Sequence, residues 1–160
     1  MAYWQQLSQK FKPIFFYIFL NIVLLPACIS IHEWGHWFCA YLLGYKQGYV
    51  KFTLAGGYFN LNEPLHSIAD GLFIGISGGV TVTLIFGICY FCLDDETDYI
   101  ERRVLKSYCI SQFTYALTEG MYGLGIVNED ALFIISNIVY PLFFYAYLIW
   151  VFIYIYYGDC

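Results

Sequence analysis

Four long apolar segments restrict the folds that this sequence can adopt. They cover about residues 13–44, 71–93, 104–127 and 131–157. A helix needs about 20 residues to cross the hydrocarbon core of a bilayer, and each segment reaches that length. The pattern predicts an all-α membrane protein with about four transmembrane helices, forming a single domain over residues 1–160.

The composition agrees with a membrane protein and argues against other classes. Hydrophobic residues make up 61% of the chain and charged residues only 12%, with a mean hydropathy of +0.63. Soluble domains have about 25% charged residues. The net charge of -5 and the seven Lys and Arg residues argue against a nucleic-acid-binding surface. We therefore expect an integral, multi-pass protein of the cell membrane, in contact with the lipid bilayer and not with nucleic acid.

A short β-pattern separates the first two apolar segments. Apolar and polar residues alternate over Val50–Leu54, and Ala55-Gly56-Gly57 separates them from Tyr58–Leu61. Alternation on both sides of a glycine-containing turn is typical of a β-hairpin. The sequence predicts a hairpin over about residues 49–61, at the membrane surface.

Three ionisable residues lie inside the first apolar segment, in the run HEWGH. His32 and His36 are four residues apart, so both imidazoles project from one face of a helix. This spacing suits two positions of a tetrahedral zinc site, with Glu33 beside the metal as a general base. A polar contact between helices is the other explanation, because ionisable groups inside membranes usually pair. That contact explains one buried histidine but not three groups at metal-ligand spacing.

An HExxH motif in a membrane span resembles the site-2 protease family of intramembrane zinc metalloproteases. The resemblance covers the motif span, the β-structured loop after it, the glycine-bearing second segment GLFIGISGGVTVT and a third region with acidic residues. It implies that His32 and His36 bind Zn²⁺ together with a distant acidic residue, and that Glu33 activates the attacking water. The implied activity is hydrolysis of peptide bonds in or near transmembrane segments of membrane-protein substrates.

The third metal ligand is open at this point. The family has an Asp-Gly pair near the end of the third segment, and Asp130 fits that position although no glycine follows it. Glu119 is the alternative, because by helical rise it lies about two turns inside the segment, closer to the depth of the histidines. Glu129 and His66 are further alternatives. The acidic pair at 129–130 also suits the first turn of a helix that Asn128 caps.

The second apolar segment has two interpretations. Gly71, Gly75 and Gly79 recur every four residues, which is typical of close packing between membrane helices. In the family this region contacts substrate through an Asn that is absent here. Thr81 or Thr83 is a candidate replacement, and the group that stabilises the oxyanion is unassigned.

Two other functions are compatible with the same residues. One is an inactive zinc-binding homologue that acts as a membrane scaffold or partner-binding protein. The other is a scaffold or transporter subunit whose polar residues only pair between helices. An edge of the predicted hairpin offers a place where an extended substrate can add as a strand, although the hairpin equally suits a surface cap.

Overall fold

The computed structural model describes residues 2–53 and 56–157, and this part of the chain is mostly helical. In order, the elements are α1 (Ala2–Leu42), β1 (Gly48–Thr53), β2 (Gly56–Leu61), α2 (Ile68–Cys92), α3 (Tyr99–Gly123), α4 (Glu129–Ile134), a π-helical turn (Ile135–Val139) and α5 (Tyr140–Tyr157).

The predicted hairpin between the first two helices is confirmed. β1 and β2 pair antiparallel, with Gly48 opposite Leu61 and Thr53 opposite Gly56. The predicted turn falls partly on positions 54 and 55, which lie outside the described residues.

The end of α1 fixes where the chain turns towards the hairpin. Gly44 has a φ of 93°, a left-handed conformation that glycine adopts without strain. The Tyr45 backbone N–H then donates to the Ala40 carbonyl oxygen at 3.0 Å. The Tyr45 hydroxyl donates to Asp70 at 2.7 Å and accepts from the His66 backbone N–H at 2.6 Å. These bonds join the end of α1 to the start of α2.

A second contact closes the loop around the hairpin. One carboxylate oxygen of Glu63 accepts hydrogen bonds from the Lys46 backbone N–H at 2.6 Å and the Gln47 backbone N–H at 2.8 Å. Because these bonds favour the charged form, the amides of Gln47 and Lys46 hold the pKa of the Glu63 carboxyl below its usual value. The ionised carboxylate therefore connects the two ends of the hairpin.

Two helices, rather than the predicted four, have the length and composition of a membrane span within the described residues. They are Phe11–Leu42, with a mean hydropathy of 2.4, and Ile68–Cys92, with 2.1. The third helix starts at Tyr99, earlier than predicted, and so includes the charged residues over 101–106, which lower its hydropathy. In the fourth region the apolar helical stretch, Tyr140–Tyr154, is shorter than a span.

The helices α2 and α3 are in direct backbone contact. A Cβ atom placed on Gly75 would lie 2.8 Å from the Glu119 carbonyl carbon, and one on Gly79 would meet the Gln112 carbonyl oxygen. The small-residue packing predicted for this glycine row is confirmed. The contact brings the side of α3 that carries Gln112 and Glu119 close to the HEWGH segment of α1.

Candidate metal centre

The two motif histidines lie side by side on α1 and are buried. His32 is 5% exposed and His36 is 6% exposed. Their Nε2 atoms are 2.9 Å apart, as the spacing of four residues on one helix predicts. Both rings therefore point one nitrogen at the same place.

The other nitrogen of each ring is held by an acceptor. His32 Nδ1 donates to the Gln112 side-chain oxygen at 2.8 Å, and His36 Nδ1 donates to the Ile74 carbonyl oxygen at 2.6 Å. A neutral imidazole that donates from Nδ1 has a lone pair on Nε2. When both rings are neutral, the two facing Nε2 atoms present lone pairs to one another, an arrangement that a cation between them stabilises.

Glu119 on α3 adds a carboxylate to the same place. Its Oε2 atom lies 3.1 Å from His32 Nε2 and 3.5 Å from His36 Nε2. Within the described part of the chain this buried oxygen has no hydrogen-bond partner. The three ligand atoms lie within 4.8 Å of one another, so the His32–His36–Glu119 group can hold a metal ion.

Helix lengths explain why these residues meet. His36 lies six residues before the end of α1, and Glu119 lies four residues before the end of α3. By helical rise, His36 lies about 9 Å from the end of α1 and Glu119 about 6 Å from the end of α3, and both helix ends face the hairpin side. The two residues therefore lie at similar depths in the bundle.

The helix α2 closes one side of the group with a glycine. A Cβ atom placed on Gly78 would meet His36 Nε2 and lie 2.8 Å from His32 Nε2. The absence of a side chain at this position therefore leaves the room in which the two nitrogens converge.

Glu33 lies beside the group without belonging to it. Its side chain is buried, and with His32 it lines a cavity of about 270 Å³ between α1, α3, the hairpin and α5. The hairpin covers it closely, since a Cβ atom on Gly57 would lie 2.7 Å from Glu33 Cγ. A carboxylate next to a three-ligand group and facing a cavity can accept a proton from a molecule bound there.

The structure does not bring Asp130 to the histidines. Asp130 is exposed in the first turn of α4, where the Asn128 side chain accepts from the Ala131 backbone N–H at 2.8 Å. Glu129 is exposed in the same turn, and the His66 ring stacks on Tyr45 at 4.3 Å between ring centroids. The acidic pair thus has the helix-start environment that Asn128 indicates.

The sequence preferred Asp130, but two signals in it could have identified Glu119 instead. One is its depth, which matches that of the histidines when both helices are measured from the hairpin side. The other is the glycine after it, since Glu119-Gly120 is an acidic residue followed by glycine, as in the family pair.

The two threonines considered for substrate contact have other partners. Thr81 Oγ1 donates to the Ser77 carbonyl oxygen at 2.7 Å, and Thr83 Oγ1 donates to the Gly79 carbonyl oxygen at 2.7 Å. Both hydroxyls therefore bond to their own helix, and neither residue lines the cavity beside Glu33.

Comparisons with known proteins add no relative to this description. The chain matches no protein-family model, no curated protein and no solved structure. The resemblance to the site-2 protease family thus rests on the HEWGH motif and its setting. The metal-binding geometry rests on this chain's own residues.

Proposed function

We propose that this protein is an intramembrane zinc metalloprotease that resembles the site-2 proteases and hydrolyses peptide bonds in or near transmembrane segments. One observation carries the proposal. Two imidazole nitrogens and a carboxylate oxygen converge inside an apolar helix bundle, and the Glu of an HExxH motif faces the adjoining cavity.

Zinc is the metal that suits these ligands. Tetrahedral zinc sites with nitrogen and oxygen ligands have bonds of about 2.0–2.2 Å, which place neighbouring ligand atoms about 3.3–3.6 Å apart. The three separations here are 2.9, 3.1 and 3.5 Å, within about 0.4 Å of that range. Three protein ligands with an open fourth position are typical of catalytic zinc, whereas structural zinc usually has four.

The hydrogen bonds behind the histidines support the same role. Metal-binding histidines usually donate their second ring N–H to a carbonyl or carboxylate, which fixes the tautomer and the ring orientation. Gln112 and Ile74 provide these acceptors for His32 and His36. A pair of histidines that only contacted each other would not need both bonds.

The metal ion and Glu33 would have separate roles in the proposed hydrolysis. Zinc bound here would polarise the substrate carbonyl and lower the pKa of a bound water to about 7. Glu33 accepts the proton of the attacking water and transfers it to the leaving amine. The surrounding helices bury His32 and His36 and partly bury Glu119, which favours fixed positions for the three ligands.

The outer surface of the bundle supports a multi-pass arrangement in the cell membrane. Large apolar side chains are exposed on α3 and α5 as well as on α1 and α2, among them Ile110, Phe113, Leu142 and Phe143. Soluble monomers rarely expose contiguous apolar surface on this scale. We therefore propose an integral membrane protein in which α1 and α2 cross the bilayer and the apolar faces of α3 and α5 contact lipid beside them.

The cavity and the hairpin suit an extended peptide. A substrate helix must open before attack, because its carbonyls are otherwise hydrogen-bonded within the helix. The hairpin lies over Glu33 at Gly57, so an outer strand edge of this two-stranded sheet lies near the cavity, where an opened segment can add as a strand.

The test compares metal content and cleavage in matched variants. Glu33→Gln keeps size and polarity, so we expect zinc to remain while cleavage falls by about 10²–10⁴-fold, as for a lost general base. His32→Ala and His36→Ala should lose both. Glu96→Gln is the control, since this exposed residue of the loop between α2 and α3 lies outside the cavity. The readout is fragments from single-span membrane proteins reconstituted with the chain in vesicles.

The outcomes separate the candidate functions. A Glu33→Gln protein that cleaves at the parental rate contradicts the mechanism. A zinc-loaded wild type that cleaves none of the panel favours the inactive, partner-binding homologue. A wild type without zinc favours a scaffold in which the polar groups only pair.

A further inference from the structure

The cavity beside Glu33 extends along α1, away from the hairpin. Leu25, Ile29 and Glu33 all line it, and their spacing of four residues places them on one face of the helix. By helical rise, Leu25 lies about 12 Å from Glu33. The cavity therefore has one end at the proposed catalytic residues and the other end deeper in the bundle.

The apolar wall of the cavity begins close to Glu33. A Cβ atom placed on Gly57 would lie 2.7 Å from Glu33 Cγ and 3.0 Å from Ile29 Cγ2, so these two carbon atoms are within about 6 Å of each other. A peptide group that Glu33 contacts can therefore place its neighbouring side chain against Ile29.

The other walls of the cavity come from α3 and α5. On α3, Ser111 and Gln112 line the cavity, and the Gln112 side-chain oxygen also accepts the hydrogen bond of His32 Nδ1 at 2.8 Å. On α5, Pro141 and Phe144 line it. Ser111, Pro141 and Phe144 are partly exposed, so a group bound in the cavity can contact their surfaces.

The surroundings become more apolar with distance from the metal centre. At its deeper end the cavity adjoins a second one of about 540 Å³ between α1 and α5, and Leu25, Tyr108, Phe144 and Tyr145 line both. Apart from Asn21, the residues that line the second cavity are aliphatic or aromatic. The space that begins at Glu33 therefore suits apolar groups.

The first cavity is large enough for a side chain as well as a peptide group. Its volume is about 270 Å³. An apolar cavity of about 150 Å³ holds a benzene ring. The remaining volume can take the side chain of leucine or phenylalanine, whereas a small side chain would leave the apolar wall without contacts.

We propose that this cavity is a specificity pocket for a large apolar side chain next to the cleaved peptide bond, with Ile29 and Ser111 in its walls. The inference rests on the proposed protease function and names its substrate class. Bonds beside leucine or phenylalanine are cleaved, and bonds beside glycine or aspartate are cleaved poorly. Glycine leaves the pocket empty, and a carboxylate would lose its hydration next to Ile29 and Phe144.

The test measures the binding of hydroxamates, which are small zinc ligands, rather than turnover. Acetohydroxamic acid has no side chain. 4-Methylpentanohydroxamic acid and 3-phenylpropanohydroxamic acid add the side chains of leucine and phenylalanine to the same carbon atom. Their Kd values are measured by titration calorimetry with zinc-loaded protein in detergent, and zinc-free protein gives the background. We expect each larger probe to bind at least about 10-fold more tightly than acetohydroxamic acid.

Two variants alter the pocket from different helices. Ser111→Leu fills it from α3, and Ile29→Ala removes part of the α1 wall. Each change should reduce the preference for the larger probes by at least about threefold and leave the Kd of acetohydroxamic acid unchanged. The control, Ala146→Leu, enlarges an exposed residue of α5 that lines neither cavity, and it should keep the wild-type preference.

Zinc content and the smallest probe distinguish the two levels of the proposal. A zinc-loaded wild type that binds all three probes equally overturns the inference and leaves the protease function standing, as does an unchanged preference in both variants. If Ser111→Leu weakens acetohydroxamic acid as much as the larger probes, Ser111 acts on the metal centre and the pocket is wrongly assigned. A wild type without zinc contradicts the protease function and the inference with it.

Discussion

Replacing Glu119 with alanine tests which acidic residue completes the metal centre. The change removes the oxygen that lies 3.1 Å and 3.5 Å from the two Nε2 atoms and leaves only two protein ligands. Zinc bound by four protein ligands gains about 10–16 kcal/mol, or about 2.5–4 kcal/mol for each ligand. We expect the zinc Kd of Glu119→Ala to rise by about 10²–10³-fold.

Asp130→Ala is the matched control. This carboxylate is exposed at the start of α4, outside the His32–His36–Glu119 group, so its removal should leave the zinc Kd unchanged. Glu119→Gln keeps the size of the side chain and replaces the anionic oxygen with a weaker neutral ligand, and its Kd should lie between those of wild type and Glu119→Ala.

The assay is competition for zinc with a chromophoric chelator, using purified protein in detergent. Helix content is measured on the same samples, so that a loss of fold is not mistaken for a loss of ligand. If Asp130→Ala weakens zinc binding while Glu119→Ala binds as tightly as wild type, Glu119 is not the third ligand of the proposed metal centre.

Three other changes test the surroundings of the centre. Gly78→Ala places a methyl group against both Nε2 atoms and should weaken zinc binding without removing a ligand. Gly87→Ala is the control and should not change the zinc Kd, because the space around its Cβ is open. Equal zinc Kd values for the two variants would refute the steric argument. Gln112→Leu removes the acceptor of His32 Nδ1 and should weaken zinc binding by about 10- to 100-fold, measured by the same chelator-competition assay. An unchanged zinc Kd would mean that this hydrogen bond does not orient the His32 ring. The lowered pKa of Glu63 predicts that the loop holding the hairpin is stable above the ordinary carboxyl pKa and loosens as pH falls through the lowered value. The protection factors of the Lys46 and Gln47 amides, which are exchange rates corrected for their intrinsic pH dependence, should fall over that range. Glu63→Gln should remove this change in protection, and its persistence in the variant would contradict the role of the carboxylate.

Local patterns predicted the parts of the fold that depend on neighbouring residues. The alternation over Val50–Leu54 indicated the hairpin, and Asn128 marked a helix start. The four-residue spacing of His32 and His36 placed both rings on one face of α1. Each of these features is decided within a few residues of the chain.

Contacts between distant elements were harder to predict. The choice between Asp130 and Glu119 depends on where α3 ends and on the distance between α2 and α3. The glycine row determines that distance through contacts that form only when the two helices pack together. The limits of the third segment were wrong for a related reason, because the charged residues after 100 are helical although they are not apolar. The π-helical turn Ile135–Val139 has no distinctive local sequence, so it could not be predicted from the residues alone.

Zinc content per chain, measured by elemental analysis of the purified wild type and of His36→Ala, tests the central claim most directly. The His32–His36–Glu119 group should hold about one zinc in the wild type, and His36→Ala should hold almost none, because the remaining histidine and carboxylate are too few ligands for a stable site. A wild type purified with zinc supplied and yet free of it, or a His36→Ala protein that retains the full amount, would contradict the account.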